Sequence, residues 1–180
     1  MPKRGFSGPQ IESTWNRVMG ASEQEFARLE RRSGPFQEEL TGFVMGFTIS
    51  MRPDVSAMAL EIMVCAYEVY REHAVSVRSA SEEAVQAQWE RSKREMEELE
   101  VLVDAGEGFD SMVFGHAQPA LMSTVLGILL DVDPEDEEGL SPEREQDGPE
   151  LSENEFWHLL TVMHTVLGVL ETHAEHRVAA

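Results

Sequence analysis

The chain has 180 residues, 42% of them hydrophobic and 27% charged, with 34 acidic side chains against 14 lysines and arginines and a net charge of −20. A chain of this size suits one domain that buries roughly 70% of the surface its unfolded form exposes, so neither a metal nor a disulfide is required for folding. The single cysteine excludes an internal disulfide, and the acidic balance argues against direct nucleic-acid binding, which needs clustered Lys and Arg.

Residues 1–10, with Pro2, Gly5, Gly8 and Pro9, read as a disordered tail. A single helical domain is expected over 11–177, interrupted by a flexible acidic loop at 131–151. Ile11, Trp15 and Val18 fall at helical spacing, and Gly20 is the stop. Ser22 and Glu25 form a capping box for a second helix to about Arg32, and Pro35 opens a third that runs to about Met51. In that third helix Gly42 and Gly46 share one face. Each costs roughly 1 kcal/mol relative to Ala in a helix, which predicts close approach by a neighbouring backbone.

Pro53 and Asp54 open a fourth helix to about Ala74. Val55, Met58, Ile62, Ala66 and Val69 form its apolar stripe, and Leu60, Met63, Val64 and Tyr67 widen it, so this helix is expected at the centre. Cys65 lies in the same apolar run with no base within five residues, which reads as a core thiol. Ser79 and Glu82 are placed as the cap of a fifth helix to about residue 105. Its seam, Val85, Trp89, Ser92, Met96, Leu99 and Val103, steps by heptad spacing with one polar position. The opposite face carries the i,i+4 pairs Arg91 with Glu95, Lys93 with Glu97 and Arg94 with Glu98. Pro119 starts a sixth helix to about Leu130. Residues 111–130 lack Asp, Glu, Lys and Arg, but His116, Gln118 and Pro119 interrupt the run and acidic residues flank it, so a buried segment is expected and not a membrane span.

Residues 131–155 hold twelve acidic side chains and one base, Arg144, over half of the chain's net charge. Such a run cannot fold by itself. Ser152 as N-cap, Glu155 three residues on, and Leu151 with Phe156 as a staple then mark a last helix to about Glu175. No convincing strand is found. The predicted fold is all-α, a bundle of five to seven helices with an acidic surface loop.

Chemistry is hard to find. His158 and His164 lie about 120° apart around the last helix, so they share no face. His173 and His176 share a face in a final turn that suits surface cations. Glu155 with His158 matches half of a di-iron pattern, but the second half is missing and Glu155 already serves as a cap, leaving only a weak alternative for metal. A calcium loop beginning at Asp131 fails at its sixth and twelfth positions, Asp136 and Pro142. No phosphate-cradling loop, nucleophile elbow or Cys-x-x-Cys is present. No catalytic residue and no cofactor are assigned.

The best-supported expectation is a non-enzymatic interaction or regulatory protein: an adaptor, a chaperone-like holder or an inhibitor. Its acidic run, with Asp133, Glu135, Asp136, Glu137 and Glu138, would steer a basic protein partner. The same run also reads as a solubilising linker that touches nothing. The alternative function is a small all-helical enzyme or metal-binding protein with a site made of scattered residues; a DNA mimic would need its carboxylates on a rigid surface. A cytoplasmic location and a homodimer are expected, the copies meeting through Trp89 and Met96 on the seam or through Gly42 and Gly46.

Overall fold

The computed structural model describes residues 5–33, 38–104, 116–130 and 151–176. Seven helices are present among them: α1 (Gly8–Met19), α2 (Glu23–Ser33), α3 (Glu38–Thr48), α4 (Pro53–His73), α5 (Glu82–Asp104), α6 (Pro119–Leu129) and α7 (Glu153–His173). The fold is all-α, as the periodicity predicts.

Local sequence sets the helix starts. The Ser22 hydroxyl and the Glu25 carboxylate cap α2 reciprocally, and Ser152 and Glu155 do the same for α7. Pro53 and Pro119 occupy the first turns of α4 and α6, where a missing N–H costs nothing. Two starts differ from expectation. α5 is capped by Ser81, whose Oγ accepts from Ala84 N at 3.3 Å, and not by Ser79. α1 begins at Gly8, because Ser7 and Gln10 make a capping box three residues before the apolar stripe. The N-terminal segment is therefore not a tail through residue 10, and the Phe6 ring is buried edge-on to Tyr70 at 4.9 Å.

α4 and α7 form the centre. Every residue from Ile62 to Tyr70 is buried, and so is every residue from Leu159 to Leu167. α4 is flanked by α1, α2, α3 and α7, while α7 is flanked by α4, α5, α6 and α3. The sequence places α4 correctly and underrates α7. Cys65 is a core thiol, pushed up to about 12 chiefly by burial and then by nearby Glu61. Two short strands, β1 (Ser76–Val77) and β2 (Ala174–Glu175), pair antiparallel with Ser76 opposite Glu175. They clip the end of α4 to the end of α7, and at two residues each they leave no readable alternation in the sequence.

The α5 seam closes inside the chain. Val85, Trp89, Ser92, Met96 and Leu99 are all buried, and the Trp89 ring lies 4.4 Å from Phe47 and 5.5 Å from Phe43, both on α3. Trp89 and Met96 are thus core residues of one copy, which removes the seam as a surface for a second. Gly42 and Gly46 lie on the exposed face of α3, where an added Cβ would meet nothing within 4 Å. No described neighbour makes the close approach that their presence predicts. No described helix is long and apolar enough to cross a membrane.

Ile62, 3% exposed in the middle of α4, is the sharpest probe of this layout. Ile62→Asp buries an unpaired carboxylate and is expected to abolish the cooperative thermal transition followed by circular dichroism. A melt close to wild type would overturn the placement of α4.

Candidate functional site

A groove of about 390 Å³ runs between α5 and α7, within the size range of ligand sites. Arg91, Glu95, Glu98 and Leu102 rise from α5 on one side, at spacings that keep them on a single helix face. His164, Gly168, Glu171 and Thr172 line it from α7. Buried Gln88, Met96 and Leu99 form the floor, and His116 and Ala117 close one end. From Gln88 to Leu102 the α5 side extends roughly 21 Å at the helical rise.

The floor is polar at one point, where Ser92, the lone polar member of the α5 seam, meets His164. The Gln88 side-chain amide donates to Ser92 Oγ at 3.4 Å, and Ser92 Oγ lies 3.0 Å from His164 Nδ1. The hydroxyl proton then goes to Nδ1, and the ring proton sits on Nε2, facing Glu95 Oε2 at 3.6 Å. Gly168 makes room for this arrangement: a Cβ there would come within 2.6 Å of Gln88 Cδ. Burial lowers the His164 pKa to about 4, with His116 adding to the effect. The half-exposed Glu95 carboxylate, at 3.6 Å and screened by water, does not offset that burial. Burial also lowers His116, whose ring lies 5.5 Å from that of His164. Both imidazoles are neutral at pH 7.

Serine, histidine and glutamate in this order suggest nucleophilic catalysis. The access does not. Ser92 has 0% exposure, behind Gln88 and His164, so no carbonyl carbon reaches its oxygen. The chemistry here is a polar link that fixes the register of α5 on α7.

A second polar centre borders the groove. Glu171 Oε2 accepts from Gln118 Nε2 at 2.9 Å, from His176 Nε2 at 3.0 Å and from Tyr70 at 3.2 Å. Gln118 Oε1 in turn accepts from Phe6 N at 2.8 Å. Burial, and next the charge of Glu171, raise the Tyr70 pKa well above its ordinary value. His176 is therefore a half-buried partner of a carboxylate, not the open surface residue expected, while His173 bonds the Val169 carbonyl one turn back in its own helix. A third centre, remote from the groove, gathers Arg17, Arg32 and Arg71 on the fully buried Glu68, with Glu72 and Thr14 beside it. It joins α1 and α2 to α4 and is a structural ion network.

The residues singled out by sequence are scattered. Glu155 is engaged by Ser152 and by Arg52 at 3.3 Å, while His158 Nε2 donates to the Phe47 carbonyl at 2.8 Å, so the two turn to different partners. No group of three His, Cys, Asp or Glu suited to a metal occurs among the described residues. Asp133, Glu135, Asp136, Glu137 and Glu138 lie outside the described residues. Of the groove, the sequence offered one signal, Ser92 in an apolar seam, and that signal required a partner to be interpreted. No family model matches the chain, and neither a curated protein nor a solved structure matches it significantly.

His164 gives the groove a pH signature. In the unfolded chain it titrates near its ordinary 6.5 and in the fold near 4. Between those values unfolding takes up a proton, so stability falls as the pH falls, by up to about 3 kcal/mol in total. Urea unfolding from pH 7 to pH 4.5 should show a shallower decline for His164→Gln, which keeps a polar group opposite Ser92 but cannot titrate. Identical slopes would mean that His164 is not held neutral by burial.

Proposed function

We propose that this chain is a non-enzymatic interaction protein, an adaptor, chaperone-like holder or inhibitor, that takes a segment of a partner protein into the α5–α7 groove. The groove carries the reading. It combines an apolar floor with fixed polar groups, and the serine beneath it, Ser92, is sealed. The rival, a small helical enzyme, has the 3.0 Å contact between Ser92 and His164 in its favour and the burial of Ser92 against it.

Charge supports a basic partner. At −20 the protein attracts cations over long range, and Asp133, Glu135, Asp136, Glu137 and Glu138 concentrate that attraction next to α7 in sequence. A single buried thiol fits a reducing cytoplasmic setting. A photo-crosslinking residue in place of Leu102, 37% exposed on the groove rim, should trap one partner protein in producing cells. The same residue at exposed Glu12 on α1 should not. Equal trapping at both positions would end the reading. Neutralising the five acidic residues should slow capture and remove its salt dependence, while changing the final complex less.

Self-association is a separate part of the proposal. The outer face of α3 presents Gly42, Met45, Gly46 and Ile49, with Met45 54% and Ile49 83% exposed. Two helical glycines that no described residue approaches fit the close crossing of a second α3, in a two-fold dimer. In isolation Gly42→Ala and Gly46→Ala should each stabilise α3 by about 1 kcal/mol. If a second copy seats there, light scattering of the double variant will show the mass drop from about 40 kDa to the 20.2 kDa of one chain. A wild-type mass of one chain would sink the dimer.

A further inference from the structure

We infer that the α5–α7 groove is selective for an extended segment carrying one lysine or arginine among apolar residues, with the cation seated against Glu95 and Glu98. The inference rests on the partner-holding reading above and adds the chemistry of the partner. It begins with the charge of the lining. Glu95, Glu98 and Glu171 face one guanidinium, Arg91, and the two histidines that border them are neutral because they are buried. The groove is therefore anionic by its own side chains, independently of the acidic run at 131–155.

Placement then separates the roles. Glu171 is already engaged by Tyr70, Gln118 and His176. Glu95 and Glu98 are exposed, one helical turn apart on the same face of α5. A cation between them meets two carboxylates at once, at a rim above the apolar floor. Met96, beneath that cation, and Leu99 and Leu102, beyond it toward the end of α5, accept apolar side chains. The α5 side of the groove, roughly 21 Å long, matches about six residues of extended chain at 3.3 Å each. Gly168 keeps the opposite wall low at the Gln88 end of the groove, where a side chain would displace Gln88.

The test uses the full chain against an immobilised library of random ten-residue peptides. Enriched peptides should carry one Lys or Arg flanked by Leu, Met or Phe. For a selected peptide, replacing its cation by norleucine should weaken binding about tenfold, and Glu95→Gln with Glu98→Gln should do the same. Both substitutions are at exposed positions and leave the core intact. Leu102→Asp reports whether the groove is the site at all. Peptides that bind in a Leu102-dependent way without needing a cation, or that ignore the two glutamine substitutions, overturn this inference and leave the partner-holding reading standing. No enriched peptide, or binding that Leu102→Asp does not affect, overturns both. Binding abolished only by neutralising residues 131–155 would assign the recognition to that run and overturn the groove.

Discussion

Two helices with fully buried middles impose the main constraint on this molecule. α4 has no solvent face over residues 62–70 and α7 none over 159–167, yet each carries polar residues: Glu68, Tyr70, His164 and Glu171 are all buried. A buried carboxylate or imidazole without partners costs several kcal/mol, so the surrounding helices are held to supply them. α1 and α2 bring arginines to Glu68, the start of α6 brings Gln118 to Glu171, and α5 brings Ser92 to His164. Apolar packing alone tolerates sliding of one helix on another. These three links do not, and they fix which turn of each outer helix meets which turn of the central pair.

The groove follows from the same arrangement. α5 crosses α7 with Ser92 and His164 in contact, and beside that contact the two helices leave a groove bordered on α7 by Gly168, Glu171 and Thr172. Gly168 lets Gln88 lie close against α7, while Glu95 and Glu98 stay at the rim. The histidines, uncharged through burial, place no positive charge beneath the two glutamates.

Periodicity and caps made most of the helices legible. Ser22 with Glu25 and Ser152 with Glu155 act as their spacing predicts, and the apolar stripe of α4 marks a central helix. Errors arose where two elements must be known together. The seam on α5 reads both as an intrachain stripe and as one of two candidate dimer contacts, because nothing in one helix reveals that Phe43 and Phe47 of α3 lie against Trp89. His176 read as a surface residue because its partner, Glu171, lies within the preceding helix and only the turn into β2 brings them together. The groove was illegible for the same reason, since its two sides are separated by about seventy positions and neither contains a motif.

Phe6 and His176 come from the two ends of the described chain, and their rings lie 5.6 Å apart over Tyr70. This closure has a mechanical meaning. A load applied across the two ends meets the Phe6 contacts at one end and the β1–β2 pair at the other before it reaches the middle of α4 or α7. Resistance to traction along the chain is therefore set by the ring contacts of Phe6 with Tyr70, His73 and His176, by its hydrogen bond to Gln118 and by the β1–β2 pair, while resistance to heat is set by the whole core.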